Sequence, residues 1–250
     1  MAQSFPVLLV RHAPVMVPEG VCYGRQDVAL RPGWERVTSG LAVLAQGAVC
    51  RVLYTSPAAR CQQMARKLAA STGMELRIDP RLAEMNFGEW EGRLWQDIDR
   101  GLLDAWAADP EGFVPPGGES GRALCHRVRA FWQEVQQAST PACVLSHGGP
   151  LRVLSALAAG TPPALLAPSM PQGFARLFMV GASADLTPET EEDAAPQSRR
   201  ETGAPTGSKT SGSVTQRLSP VVPLWPRRHR PVPAEPALTF PKTDTGSILT

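Results

Sequence analysis

No two cysteines in this 250-residue chain stand in a CxxC spacing, and no apolar run approaches the roughly 18 residues a membrane span requires. The five cysteines, Cys22, Cys50, Cys61, Cys125 and Cys143, are dispersed singly, and their odd count does not suit a fully paired disulfide framework. They read as reduced thiols, which places the chain in a reducing, cytoplasmic compartment. The opening stretch MAQSFPVLLVRH carries no basic leader, and its apolar run is too short for a signal-peptide core. Net charge is also scarce. At +2 it gives no ground for nucleic acid or an anionic membrane as an obligatory partner. HExxH and a Walker loop are missing, and the acidic run ETEED lies in the Pro-rich C-terminal stretch, so neither a metal nor another cofactor is expected.

What is present suits one sizeable core. Hydrophobic residues make up 43% of the chain, and up to about residue 182 short apolar runs alternate with helical patterns. From Asp185 onward the texture changes, with ten prolines interrupting a Ser/Thr/Gly-rich stretch that holds few large apolar side chains. Such a segment cannot bury enough surface to offset its ordering entropy. The expected organisation is therefore a folded domain over 1–182 and a disordered tail over 183–250, within which PRRHRP (Pro226 to Pro231) is locally basic.

Within the folded part, PVLLVRH, RVLYTS and ACVLSH read as buried parallel strands, being short, continuously apolar and bounded by turn chemistry. After the second comes PAARCQQMARKLAAST, where Cys61, Met64, Ala65 and Leu68 fall on one helical face. SGRALCHRVRAFWQEVQQA repeats the pattern with Leu124, Val128, Phe131 and Val135, and Ser120 stands where an N-cap belongs. Strands alternating with helices predict an α/β fold: three α/β/α layers around a mostly parallel sheet.

In such sheets ligands sit at the carboxyl ends of the strands. Arg11 and His12 end the first strand, Arg60 opens the helix after LYTSP, and His147 ends CVLSH just before Gly148, Gly149 and Pro150. Two arginines and two histidines thus converge on one rim. Arginine's planar fork matches phosphate oxygens, and a neutral imidazole among such cations can attack phosphorus. The departing alcohol then needs a proton, for which Glu84 in RLAEMNFGEWEG is the candidate, with Glu89 and Glu91 as competitors. His126, inside a helical pattern, and His229, in the tail, read as structural or solvated.

Taken in order, LVRHAP, TSPAARCQQMA, EMNFGEWEG, PPGGES and LSHGGPLR resemble the histidine phosphatase superfamily, with its phosphoglycerate mutase-like fold. The resemblance covers residues 5 to about 180 and none of the tail. It implies His12 as the phosphorylated nucleophile and Glu84 as the proton donor, with Arg11, Arg60 and His147 on the phosphoryl oxygens and no metal. Amides near Gly148 would add donors. Two departures stand out: Ala13 replaces the glycine usual after the nucleophile, and APVMVPEG stands where the family commonly carries an asparagine.

Between Glu84 and His147 the chain leaves no room for the large insertion that resembles the mutases' lid, which favours a phosphomonoesterase over a mutase. GVCYGRQDVAL, containing Tyr23 and Gly24, together with PPGGES, looks like the alpha-ribazole phosphatases of cobalamin assembly. The expected ligand is a small phosphorylated metabolite, with Tyr23, Gly24 and Gly148 near it. A broad-specificity or sugar phosphatase is the nearest alternative. A noncatalytic phosphate-binding protein is the alternative from another class, and the presence of all the core residues counts against it.

Overall fold

The structure is a computed structural model that describes residues 4–181 and 222–223. Strand β1 spans Ser4–Arg11 and is followed by helix α1, Trp34–Gly47. Then come β2 (Val52–Thr55), α2 (Ala59–Thr72) and the short strand β3 (Glu75–Ile78). Irregular chain and three short 3-10 turns lead to α3 (Arg100–Ala108) and α4 (Gly121–Ala138). Strand β4 (Ala142–Ser146), helix α5 (Gly148–Ala158) and β5 (Phe174–Gly181) complete the domain, and β6 is a two-residue pairing at Val222–Pro223. The rest of the expected tail lies outside the described residues.

The sheet order is β3-β2-β4-β1-β5-β6. β1, β2, β3 and β4 run parallel, while β5 is antiparallel to β1 and β6 to β5. The three runs read as buried strands are β1, β2 and β4, which occupy the middle of the sheet. Their continuous apolarity has a direct cause, since both faces are covered and successive side chains go to opposite layers. Val7, Leu9, Tyr54 and Val144 pack with α4 and α5, whereas Leu8, Val10, Leu53 and Leu145 pack with α1 and α2.

The helix faces match the sequence periodicity. Cys61, Met64, Ala65 and Leu68 are the buried side of α2, and Leu124, Val128, Phe131 and Val135 that of α4. Burying a leucine-sized side chain contributes about 1.5–3 kcal/mol, so these stripes hold the outer layers to the sheet. Gly73 ends α2 at φ +74°, a left-handed turn that costs glycine no side-chain clash. Ser120 caps α4, its Oγ accepting the Ala123 N–H at 3.1 Å. Among the described residues no helix is long and apolar enough to cross a membrane.

β1 and β4 are neighbours, with Arg11 in register with Ser146. The helix after β1 covers one face of the sheet and the helix after β4 covers the other. The two chains therefore part at the carboxyl ends of these strands and open a crevice there, the usual ligand position in an open α/β sheet.

Candidate active site

At that crevice the strand ends deliver four cationic or titratable side chains. His12 is fully buried, and its Nδ1 lies 2.8 Å from the carbonyl oxygen of Ala13. A carbonyl only accepts, so Nδ1 carries the hydrogen and Nε2 keeps its lone pair. Burial first, then the Arg60 charge, pull the His12 pKa down to about 3, with Arg11 adding to the effect and the Ala13 hydrogen bond opposing it. The imidazole is neutral at physiological pH, as a nucleophile must be.

Arg60, in the first turn of α2, is also buried. Its Nη1 donates to Gln26 O at 2.8 Å, and its Nη2 to Gly24 O at 2.7 Å and to His147 Nδ1 at 3.1 Å. Because a guanidinium only donates, His147 accepts at Nδ1 and presents its Nε2–H to Ser56 Oγ, 2.6 Å away. Burial, with His12 and the Arg60 charge behind it, holds the His147 pKa well below the ordinary histidine value. The two imidazole rings meet edge to face, with centroids 5.2 Å apart. Arg11 Nη1 is anchored by Met170 O at 2.7 Å and Ser169 Oγ at 3.0 Å.

Four buried side-chain nitrogens among the described residues have no protein partner, and three of them are Arg11 Nε, His12 Nε2 and Arg60 Nε. An orphaned buried polar group costs about 1–3 kcal/mol. Two donors and one lone pair left open on converging residues describe a site built for an oxyanion. The fourth orphan is Trp106 Nε1.

A cavity of about 270 Å³ adjoins this cluster, lined on one side by Arg11, Glu84, Gly148, Gly149 and Arg152. Its other wall is apolar and largely aromatic, with Phe87, Trp95, Trp106, Leu124 and Leu165. Trp95 and Trp106 stack with centroids 5.8 Å apart, and Phe87 meets Trp95 edge-on at 5.4 Å. Glu84 accepts N–H groups from Gly149 at 3.0 Å and from Met85 at 2.9 Å. Glu89 and Glu91 do not line the cavity. Glu89 is exposed, and Glu91 is occupied by the amides of Arg25, Gln26 and Phe87.

The histidine phosphatase superfamily (branch 1) family model matches residues 7–175, which contain every residue of this cluster. The chain belongs to the histidine phosphatase superfamily. It is accordingly a phosphoric monoester hydrolase. The adenosylcobalamin/alpha-ribazole phosphatase of Escherichia coli is 29% identical over 160 residues, covering 62% of this chain and 79% of that one. A bifunctional protein of Mycobacterium tuberculosis is 31% identical over 159 residues, covering 61% of this chain but 43% of its own length. The alpha-ribazole phosphatase of Shigella flexneri has the same fold, with a TM-score of 0.63 at 24% identity over 74% of this chain and all of that one.

Arg11, His12, Arg60 and His147 come together as expected, and Glu84 faces the adjoining cavity. Gly148 lines the cavity too, and a Cβ on it would lie 3.3 Å from Arg11 Nη2. The neighbouring amide, expected to face phosphoryl oxygens, is instead the one that Glu84 takes. Tyr23 and Gly24 are not on the cavity wall. The Tyr23 ring lies 5.3 Å from the Arg60 guanidinium and its hydroxyl accepts from Gln172, while Gly24 offers Arg60 its carbonyl. Both hold an arginine in place, because the loop that carries them is pinned beneath it. Asp27 of the same loop accepts the Ala59 N–H at the start of α2.

Ala13 is not among the residues with positive φ, so its side chain is unstrained and glycine is not needed there. In the stretch that replaces the family asparagine, Val15 is buried and bridges to Leu30, and Met16 is exposed. Sequence reasoning missed Ser56, Ser169 and Arg152. Ser56 stands in the quoted TSP motif and Arg152 ends the quoted LSHGGPLR, so both could have been found there; Ser169 lies between α5 and β5 with no local signal of its own.

Proposed function

We propose that this chain hydrolyses the phosphate monoester of a small alcohol bearing a planar apolar group, by way of a phosphohistidine on His12. Alpha-ribazole 5′-phosphate, a step in cobalamin assembly, is the ester that fits best. The observation that carries the chemistry is the set of open nitrogens on Arg11, His12 and Arg60. The support for the alcohol is the aromatic wall with its unpartnered Trp106 indole N–H, a flat surface with one donor to spare. The related phosphatase of Escherichia coli is named for such an ester.

The reaction runs in two in-line displacements. The His12 Nε2 lone pair forms a bond to phosphorus as the ester P–O bond breaks, and Glu84 delivers a proton to the departing oxygen. The Nδ1–H bond to Ala13 O supports the positive charge that appears on the ring. Water then attacks the phosphohistidine, the ionised Glu84 takes its proton, and the P–N bond breaks to return neutral His12 and inorganic phosphate. Arg11 and Arg60 hold the equatorial oxygens throughout. A phosphoryl oxygen beside His12 competes with Ser56 Oγ for the Nε2–H of His147, which also keeps Arg60 oriented. No step calls for a metal. The dispersed, unpaired cysteines suit a cytoplasmic enzyme.

Rapid acid quench after mixing with ³²P-labelled ester tests the chemistry. Acid-labile label on the protein, absent from His12→Ala, is the expected result, and turnover without such label would overturn the mechanism. A panel of alpha-ribazole 5′-phosphate, 3-phosphoglycerate, a sugar phosphate and p-nitrophenyl phosphate tests the alcohol. A kcat/KM highest on a sugar phosphate or on 3-phosphoglycerate would reject the aromatic reading.

A further inference from the structure

Glu84 lies just past the 3-10 turn Pro80–Leu82, whose last backbone bond is from Ala83 N–H to Pro80 O, and no backbone N–H takes up the carbonyls of residues 81–84. These four consecutive carbonyls are nevertheless all bound, and by side chains. Arg127 Nη1 donates to Arg81 O at 2.6 Å and to Ala83 O at 2.7 Å, and its Nη2 to Glu84 O at 3.1 Å. The remaining carbonyl, Leu82 O, accepts from Ser146 Oγ at 2.8 Å. Arg127 is in turn gripped by Glu119, with Nε at 3.2 Å from Oε2 and Nη2 at 2.7 Å from Oε1. Both side chains are largely buried, at 16% and 14% exposed. Glu119 also accepts the Asn86 N–H and an Arg25 nitrogen, and Arg25 Nε reaches the Glu84 carbonyl at 3.1 Å.

From this arrangement we infer that Arg127, braced by Glu119, is the positioning residue for the proton donor. The inference rests on the reading of Glu84 as that donor. Arg127 does not line the cavity and touches no reacting atom. It acts by fixing the backbone from which the Glu84 carboxyl is aimed, and a misplacement of about 1 Å can cost on the order of 100-fold in rate. A guanidinium is the side chain that fits, because one rigid fork must serve three carbonyls and a carboxylate together. Lysine has no such fork.

The readout that separates aiming from general support is the leaving group. Nitrophenolate departs without a proton; an alkoxide does not. kcat/KM is the parameter to compare, because it reports the steps through the first phosphoryl transfer and not the second. Glu84→Gln is expected to lose about 10²- to 10⁴-fold on an alkyl phosphate and far less on p-nitrophenyl phosphate. Arg127→Met is expected to lean the same way, with a loss on the alkyl ester about tenfold or more greater than on the nitrophenyl ester. Arg127→Lys should fall between it and the unaltered enzyme. Should Arg127→Met fail to fold, Glu119→Gln makes the same comparison with a smaller disturbance. Equal losses on both esters, in either variant, would overturn the positioning role while the bias of Glu84→Gln left the donor reading intact. Absence of that bias in Glu84→Gln itself would remove the donor reading and this inference with it.

Discussion

Gly149 donates its amide to the carboxylate of Glu84, and a Cβ on Gly149 would collide with Glu84 Oε1. The φ of Gly149 is not in the left-handed region, so glycine stands here for space and not for backbone freedom. Gly149→Ala should push the carboxyl off its amide and lower kcat/KM on alkyl esters about 100-fold, the scale of a lost general acid. Steady-state rates with the folded variant, checked by circular dichroism, decide it; an undiminished rate would mean that Glu84 is not held there for catalysis.

Arg60 makes three contacts with one fork, to Gly24 O, Gln26 O and His147 Nδ1. A lysine can keep the charge but cannot span all three. Arg60→Lys is expected to cost on the order of 100-fold in kcat and to weaken inhibition by inorganic phosphate. Inhibition constants measured beside the rates would show whether the anion site itself has loosened.

Two buried neutral histidines tie stability to pH. Both pKa values are lowered in the folded state, that of His12 to about 3. Below the ordinary histidine value of about 6.5 the unfolded chain takes up protons that the folded chain refuses, so stability falls as pH drops. The window for His12 runs from there down to about pH 3. His12 should remove roughly 2 kcal/mol between pH 7 and pH 5, and His147 acts in the same direction. Urea midpoints at the two values test this, and His12→Asn should narrow the difference, leaving the part due to His147. Equal midpoints for the unaltered protein would contradict the burial of neutral rings.

Trp106 stacks on Trp95 at the apolar wall. Removing it as Trp106→Ala should lower kcat/KM for esters of aromatic-bearing alcohols by about tenfold. Small aliphatic phosphates should be affected much less. A uniform loss would assign Trp106 to folding and not to the choice of alcohol.

Activity should survive EDTA, since arginines supply the charge that a metal would otherwise bring to the phosphoryl oxygens. Loss on chelation followed by recovery with a divalent ion would refute the mechanism.

Central strands were legible because burial on both faces leaves an uninterrupted apolar run, as in LLV and CVL. Strand β3 carried no such mark. It lies at the sheet edge, where Glu75, Arg77 and Ile78 are exposed, and its composition follows solvent more than the sheet. The antiparallel course of β5 was hidden for another reason: direction is set by the loop that returns the chain to β1 and not by the strand's own residues. At the site, the side chains that end strands could be read, because strand ends of a parallel sheet share a rim. Their supports could not. Ser169 and Met170 meet Arg11 from more than 150 positions away in the chain, and such pairings have no periodicity to betray them. GES showed its helix cap plainly, yet the grip of Glu119 on Arg127 appears only when α4 is folded against the residues before Glu84.

The aromatic rings that flank the cavity belong to a single excursion of the chain, from Phe87 to Phe113, which contributes no strand to the sheet. Exchanging them leaves the register of β1 against β4 untouched. On the proposed reading the choice of alcohol rests with this one excursion and the phosphorus chemistry with the strand ends, so the first could be redrawn without touching the second.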